Sequence, residues 1–159
     1  MEKKSISRMI TVLYRKTQST LSAVLRKYDL TTAEQPFFVE LQRNDGVTQE
    51  ELSSVLYIDK AATTRAIKSL EKKGYVKCFQ DEQDRRKIRV FATDKARECG
   101  FSVKNDLSQF NELLTQHIDA ESQEIIYNAL LQMEQNAIHL AKEKEKVPNC
   151  EEITDGSTE

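Results

Sequence analysis

A mainly α-helical chain with one small β-hairpin is what this sequence predicts, on three observations. Only four Gly and two Pro in 159 residues, with 31% charged and 38% hydrophobic residues, favour helices with short connections around a modest single core. Helix-start signals recur at Thr32-Ala33-Glu34-Gln35, Thr48-Gln49-Glu50-Glu51, Asp59, Thr93 and Asp119, each ahead of apolar residues at three- and four-residue steps. After Gly74 the pattern changes to two β-prone runs, residues 75–80 and 87–92, flanking a stretch with no apolar side chain to bury.

In chain order, residues 5–28 read as one long helix, with Ile6, Met9, Ile10, Leu13, Leu21, Val24, Leu25 and Tyr28 on its stripe. A helix of that length protrudes from a small domain unless something covers it. Thr32 opens the next helix, with Pro36 in the first turn where a missing amide costs least. That helix carries Phe37, Phe38, Val39 and Leu41 and ends near Asn44-Asp45-Gly46. Phe37 and Phe38 are either core anchors holding the first helix against its neighbours, or the lining of a ligand pocket.

Thr48 caps a shorter helix bearing Leu52, Val55 and Leu56, and Tyr57-Ile58-Asp59 turns into the central one. There Ala62, Thr63, Ala66, Ile67 and Leu70 make a small packing stripe, while Lys60, Ala61, Thr64, Arg65 and Lys68 fall on the opposite, short or basic side. Asp59 suits the N-cap, Gly74 the stop, and Lys72 and Lys73 the negative end of the helix dipole. Two such helices joined by a tight turn form a helix-turn-helix, the second free to enter a major groove. The hairpin behind it makes a wing with a charged tip, Asp81-Glu82-Gln83-Asp84-Arg85-Arg86. Arg85, Arg86 and Lys87 suit phosphates and a narrow minor groove, and Asp84 can hold Arg86 in a bidentate pair.

Thr93 then caps a helix carrying Ala96, Cys99, Gly100, Val103, Leu107, Phe110 and Leu114. Asp119 caps a last one carrying Ile125, Ile126, Ala129, Leu130, Met133, Ala137 and Leu140. The two read as an antiparallel helical hairpin whose stripes are wide enough for a neighbour in the same chain and a second chain, which predicts a homodimer. The alternative is an intramolecular three-helix core. From Lys142 the chain is Lys/Glu-rich, and after Pro148 it is acidic, a composition expected of a disordered tail.

The net charge of −2 argues against a nucleic-acid partner only until its distribution is considered. Residues 60–89 hold ten Lys/Arg and four Asp/Glu, a net +6, leaving −8 for the remainder. Screening over ~8–10 Å lets a locally basic element on an acidic body bind phosphates. No nucleophile–base pattern, phosphate-cradling Gly loop or metal spacing is present, which argues against an enzyme, a metal or a cofactor. Cys78, Cys99 and Cys150 form no Cys-x-x-Cys pair and read as free thiols. His117 and His139 lie on separate helices, with no carboxylate or cysteine partner expected from the nearby sequence. The absence of a long apolar run or a signal-peptide core predicts a cytoplasmic chain without a membrane partner.

On Asp59-Lys60 through Thr64-Arg65, on Leu70-Glu71-Lys72-Lys73-Gly74-Tyr75-Val76, and on the wing from Asp81 to Lys87, the chain resembles the multiple-antibiotic-resistance-regulator (MarR) family. The resemblance extends over nearly the whole chain in helix order and length. It implies a winged helix-turn-helix over residues 31–93, and a dimerisation region from residues 1–30 and 94–145, followed by a tail over residues 146–159. It implies a dimeric transcription regulator, often a repressor released by a ligand, on a pseudo-palindromic double-stranded DNA operator. Lys60, Ala61, Thr64, Arg65 and Lys68 would face the major groove, with Arg65 the best candidate for a base edge. Arg86 would enter the minor groove, positioned by Asp84, with Arg85 and Lys87 on phosphates. It also implies an anionic aromatic or lipophilic effector in a cleft between the dimer helices and the winged region, with Tyr14, Phe37 and Phe38 as candidate lining. Where the family often has Leu-Thr-x-x-Gly after the wing, this chain has Ala92-Thr93-Asp94-Lys95-Ala96. Some relatives sense oxidants through a reactive cysteine in the first helix, which is absent here. The alternative function is a winged helix that binds protein without specific DNA.

Overall fold

The computed structural model describes residues 5–144. The tail read over residues 146–159, Cys150 included, lies outside the described residues. The chain divides into two units, Met1–Leu114 and Thr115–Glu159.

The first unit begins with α1 (Ile6–Leu25), whose N-cap Ser5 accepts from the Arg8 amide at 3.3 Å. The single helix expected over residues 5–28 stops earlier. After Leu25 it tightens into a 3₁₀ turn, Arg26–Tyr28, and Asp29 adopts a left-handed φ of 52°. The turn lets Leu25 and Leu30 both enter the core, and the Leu30 amide closes it on the Leu25 carbonyl at 3.3 Å.

Helix α2 (Gln35–Arg43) comes next, with Pro36 in its first turn. The N-cap of α2 is Glu34, which has no side-chain cap bond; the reciprocal bonds expected at Thr32 are made by Thr31 in the turn before the helix. The Thr31 amide donates to Glu34 Oε2 at 2.7 Å, and the Glu34 amide donates to Thr31 Oγ1 at 3.3 Å. Glu34 sets this register because its carboxylate is buried and already committed to Lys73.

A two-residue strand, β1 (Val47–Thr48), precedes α3 (Gln49–Leu56), which opens on the expected Thr48/Glu51 capping box. Helix α4 (Lys60–Lys72) and strands β2 (Val76–Gln80) and β3 (Ile88–Ala92) complete the winged region. The sheet has order β1-β3-β2, antiparallel throughout, with Val47 and Cys78 both opposite Val90. Only the hairpin is expected from the sequence pattern; β1 makes it a three-stranded sheet. Val76, Val90 and Ala92 point inward to meet Phe37, Phe38, Leu52, Ile67 and Leu70 in one apolar core. Helix α5 (Asp94–Leu114), started by Thr93 Oγ1 accepting from the Ala96 amide at 3.3 Å, closes that core with Ala96, Gly100 and Val103.

Gly46 turns the chain into β1 at φ +74°, and a Cβ there would stand 2.8 Å from Phe91 Cε1. Gly46→Ala should therefore destabilise the chain by about 1–2 kcal/mol, through left-handed strain plus crowding of the Phe91 ring. The measurement is the urea midpoint of the variant, and an unchanged midpoint would refute the strain.

The second unit contains a turn with His117 at φ 66° and then α6 (Ala120–Lys144). Asp119 caps it as expected, its Oδ1 accepting from the Ser122 amide at 2.9 Å. His139, without an expected carboxylate partner, lies 3.4 Å from Glu143 one turn on, both exposed. None of the described residues of α6 is buried, Ile125, Ile126, Leu130 and Leu140 included. Among the described residues no helix is long and apolar enough to cross a membrane.

Candidate nucleic-acid interface

Helix α4 has two chemically different sides. Thr63, Ala66, Ile67 and Leu70 are buried, with Ala62 half-buried beside them. Lys60, Ala61, Arg65 and Lys68 are exposed and Thr64 is half-exposed, so the five residues assigned to a groove share the outward side. The helix starts where Asp59 Oδ1 accepts from the Ala62 amide at 2.8 Å. A left-handed Tyr57, φ 53°, supplies the turn from α3.

The outward side is stitched to α3. Lys60 Nζ donates to Glu50 Oε1 at 2.9 Å, and Thr64 Oγ1 donates to Gln49 Oε1 at 3.3 Å. The lysine first and Lys87 second hold the Glu50 carboxyl below its ordinary value. Periodicity assigns Lys60 and Thr64 a side of the helix but no partner. Capping places Gln49 and Glu50 in the first turn of α3, but contacts across 10 and 15 residues leave no trace in local spacing.

At its other end α4 is anchored. Lys73 Nζ donates to Glu34 Oε2 at 2.9 Å and to the Asp29 carbonyl at 2.6 Å. Gly74, at φ +76°, lets the Tyr75 amide return to the Leu70 carbonyl at 2.9 Å, and Tyr75 Oη then donates to the Tyr28 carbonyl at 2.6 Å. Burial alone would raise the Glu34 carboxyl, but hydrogen bonds from Ser69, Lys73 and Thr31 outweigh it and hold it below 4.5. The last turn of α4 is thereby tied to the corner between α1 and α2.

In the wing, Asp84 grips Arg86 with both oxygens. Nε donates to Oδ1 at 3.0 Å and Nη2 to Oδ2 at 3.3 Å, while the Arg86 amide adds 3.1 Å to Oδ1. The Arg86 side chain is 91% exposed all the same, so its direction is set without its charge being hidden. Arg85 and Lys87 are exposed beside it.

Asp81, expected at a solvated tip, is buried instead. Its Oδ1 accepts from the amides of Gln83 and Asp84 at 2.9 and 2.8 Å, and its Oδ2 from Arg89 Nε. These bonds, the Asp84 amide first and the Arg89 side chain next, keep its carboxyl below the ordinary carboxylate value. Arg89 also donates to the Gly46 carbonyl at 2.7 Å, so the wing tip is braced from within. A groove of about 370 Å³ between the start of α3 and the wing is lined by Thr48, Gln49, Glu50, Asp84, Arg86 and Lys87, with Ile88 at its edge.

The other candidates are scattered. Phe37 and Phe38 are both core residues, Phe38 meeting Tyr75 edge-on at 5.3 Å, and Tyr14 is exposed on α1. Phe38 also lines a cavity of about 360 Å³ between α2 and α5, with Arg43, Phe101, Lys104 and Leu107; neither Tyr14 nor Phe37 borders it. Cys78 and Cys99 are free thiols. Burial, with Glu71 adding to it, pushes Cys78 up to about 11, and burial also raises Cys99, so neither is a ready thiolate. Among the described residues no cluster of His, Cys, Asp or Glu is placed to hold a metal.

A family model described as MarR matches residues 38–88, which run from α2 into β3. The fold is similar to a MarR transcriptional regulator from Methanosarcina mazei Go1, at 36% identity and a TM-score of 0.80, covering 87% of this chain and 99% of that one. It is also similar to a putative MarR family regulator from Listeria monocytogenes, complexed with 26mer DNA, at 25% identity and a TM-score of 0.78, covering 84% and 89%. The uncharacterized HTH-type transcriptional regulator YybA of Bacillus subtilis is 26% identical over 131 residues, 82% of this chain and 87% of YybA.

Proposed function

The chain belongs to the MarR family of DNA-binding transcriptional regulators, and from that premise we propose that it is a homodimeric, sequence-specific repressor relieved by a small ligand. The observation that carries the reading is the pairing of one exposed basic helix side with one exposed, pre-aimed arginine on the wing. Helix α4 enters the major groove, where Arg65 reads a base edge with guanine the natural partner, and Thr64 meets a phosphate or a thymine methyl. Ala61 lets the helix approach closely. Lys60 and Lys68 face the same groove. Arg86, held by Asp84, enters the minor groove, and Arg85 and Lys87 meet phosphates. The Listeria monocytogenes relative, complexed with 26mer DNA, supports duplex DNA as the partner.

Dimerisation is supported by apolar side chains exposed on a single chain: Ile6, Met9, Ile10 and Leu13 on α1 and, in the second unit, Ile126 and Leu130 on α6. A two-fold dimer presents two α4 helices about 34 Å apart to a pseudo-palindromic operator. Residues 1–30 and 94–145 serve as the dimerisation region and residues 31–93 as the DNA-binding region. The effector fits the cavity between α2 and α5, where Phe38, Phe101 and Leu107 offer apolar contact and Arg43 and Lys104 suit an anionic group.

The experiment is binding of the purified protein to the duplex upstream of its own gene at two salt concentrations, beside a scrambled duplex. Arg86→Ala should weaken binding roughly tenfold on both duplexes and flatten the dependence of log K on log salt by about 1. Unchanged affinity of the variant for a genuine operator would remove Arg86 from the interface.

A further inference from the structure

Lys60 occupies the first position of α4, where the helix dipole disfavours a cation. Its ammonium is met across the turn by the Glu50 carboxylate at 2.9 Å, and both side chains are well exposed. An exposed ion pair contributes little to folding, and the Thr48/Glu51 capping box already starts α3 without Glu50. A carboxylate in the first turn of α3 also complements that helix's dipole, a small and screened gain that does not call for the lysine beside it.

Glu50 lines the groove between α3 and the wing together with Asp84, Arg86 and Lys87, so it stands between the two basic elements assigned to DNA. A phosphate entering that groove meets the Glu50 charge, and Lys60, which reaches the same carboxylate from α4, is already neutralised by it. Base-edge contacts from Arg65 are untouched by this.

We propose that Glu50 is a specificity-determining residue of the DNA face: paired with Lys60, it weakens binding to arbitrary duplex more than binding to the operator. The inference rests on the DNA-binding reading above. Non-specific binding is almost wholly phosphate-driven, whereas operator binding adds base contacts. A loss common to both complexes cancels from their ratio. The ratio rises because base contacts fix the register of α4 on the operator with Lys60 facing the major groove, whereas on arbitrary duplex a free Lys60 would add a phosphate contact.

The test uses the full chain on a mixed-sequence duplex and on a duplex selected by the wild-type protein from a random pool, each over a salt series. Glu50→Gln should bind the mixed duplex about fivefold or more tighter at low salt, with a log–log salt slope steeper by about 0.9, one extra phosphate neutralised. Affinity for the selected duplex should rise less, so discrimination falls. Lys60→Ala combined with Glu50→Gln should abolish the gain. A Glu50→Gln protein that matches wild type in slope and discrimination overturns the proposal, as does a gain that survives in the double variant. A wild-type chain with no salt-dependent affinity for any duplex overturns the DNA reading, and this inference with it. Matching thermal melts identify the change as one of binding rather than folding.

Discussion

Replacing Lys73 with alanine is expected to lower the unfolding free energy by about 3 kcal/mol, near the lower end of the cost of breaking a buried ion pair. The Glu34 side chain is only 4% exposed and loses its one cation. The bonds from Thr31 and Ser69 that remain limit the damage. A urea midpoint shift at constant slope would report it. Removing both charges with Glu34→Gln and Lys73→Met should cost clearly less, because no unpaired carboxylate stays behind.

The pH dependence separates this from a simple packing loss. In the wild type the folded Glu34 carboxyl lies below its ordinary 4.5. Its contribution is thus complete above that value and lost as the pH falls through the lower folded one. In Lys73→Ala the carboxyl loses one of the hydrogen bonds that hold it down and so rises relative to the wild type, and a protonated Glu34 needs no cation. The gap between variant and wild type should therefore narrow in acid. A gap that stays constant as the pH falls well below 4.5 would show that the pair is not the cause.

Phe38→Ala should cost about 3–5 kcal/mol, the usual range for removing a buried aromatic side chain. The ring is 2% exposed and meets Tyr75 edge-on at 5.3 Å, and Tyr75 in turn holds the Tyr28 carbonyl. A melting temperature lower by on the order of 10 °C is expected for a chain of this length. Phe38→Leu should recover most of it. A loss below 1 kcal/mol would mean that the neighbourhood collapses into the space, contrary to a core this interdigitated.

How much of the molecule is legible in its sequence depends on how far apart the partners lie. Asp59, Thr48, Thr93 and Asp119 are caps whose acceptors bond amides three residues away, so a short window contains the whole interaction. Asp84 and Arg86 are two residues apart, and their pairing arises from the same local reach. The alternating sides of α4 come from periodicity. The box at Thr31 is misplaced by one residue in a local reading because Thr31 and Thr32 offer the same hydroxyl. Only Lys73, bonded to Glu34 from 39 residues on, decides between them. Strand β1 is two residues long and exists because β3 passes beside it, so it has no pattern of its own. Asp81 reads as tip polarity because its cation, Arg89, sits on the returning strand. The 3₁₀ turn after α1 carries no Gly or Pro to announce it.

The unequal anchoring of α4 has a mechanical consequence. Its last turn is tied to the buried Glu34 carboxylate, whereas the ion pair from its start to α3 is exposed and Thr63 is buried beneath it. The thirteen residues span about 20 Å, with the outward ones proposed for DNA, Lys60 to Lys68, towards the end away from that anchor. Such a helix acts as a pointer pivoted at the corner of α1 and α2. A tilt of about 5° at the pivot sweeps Lys60 through roughly 1.7 Å, more than the distance over which a hydrogen bond fails. Motion too small to disturb the core where it begins arrives magnified at the residues proposed to read bases.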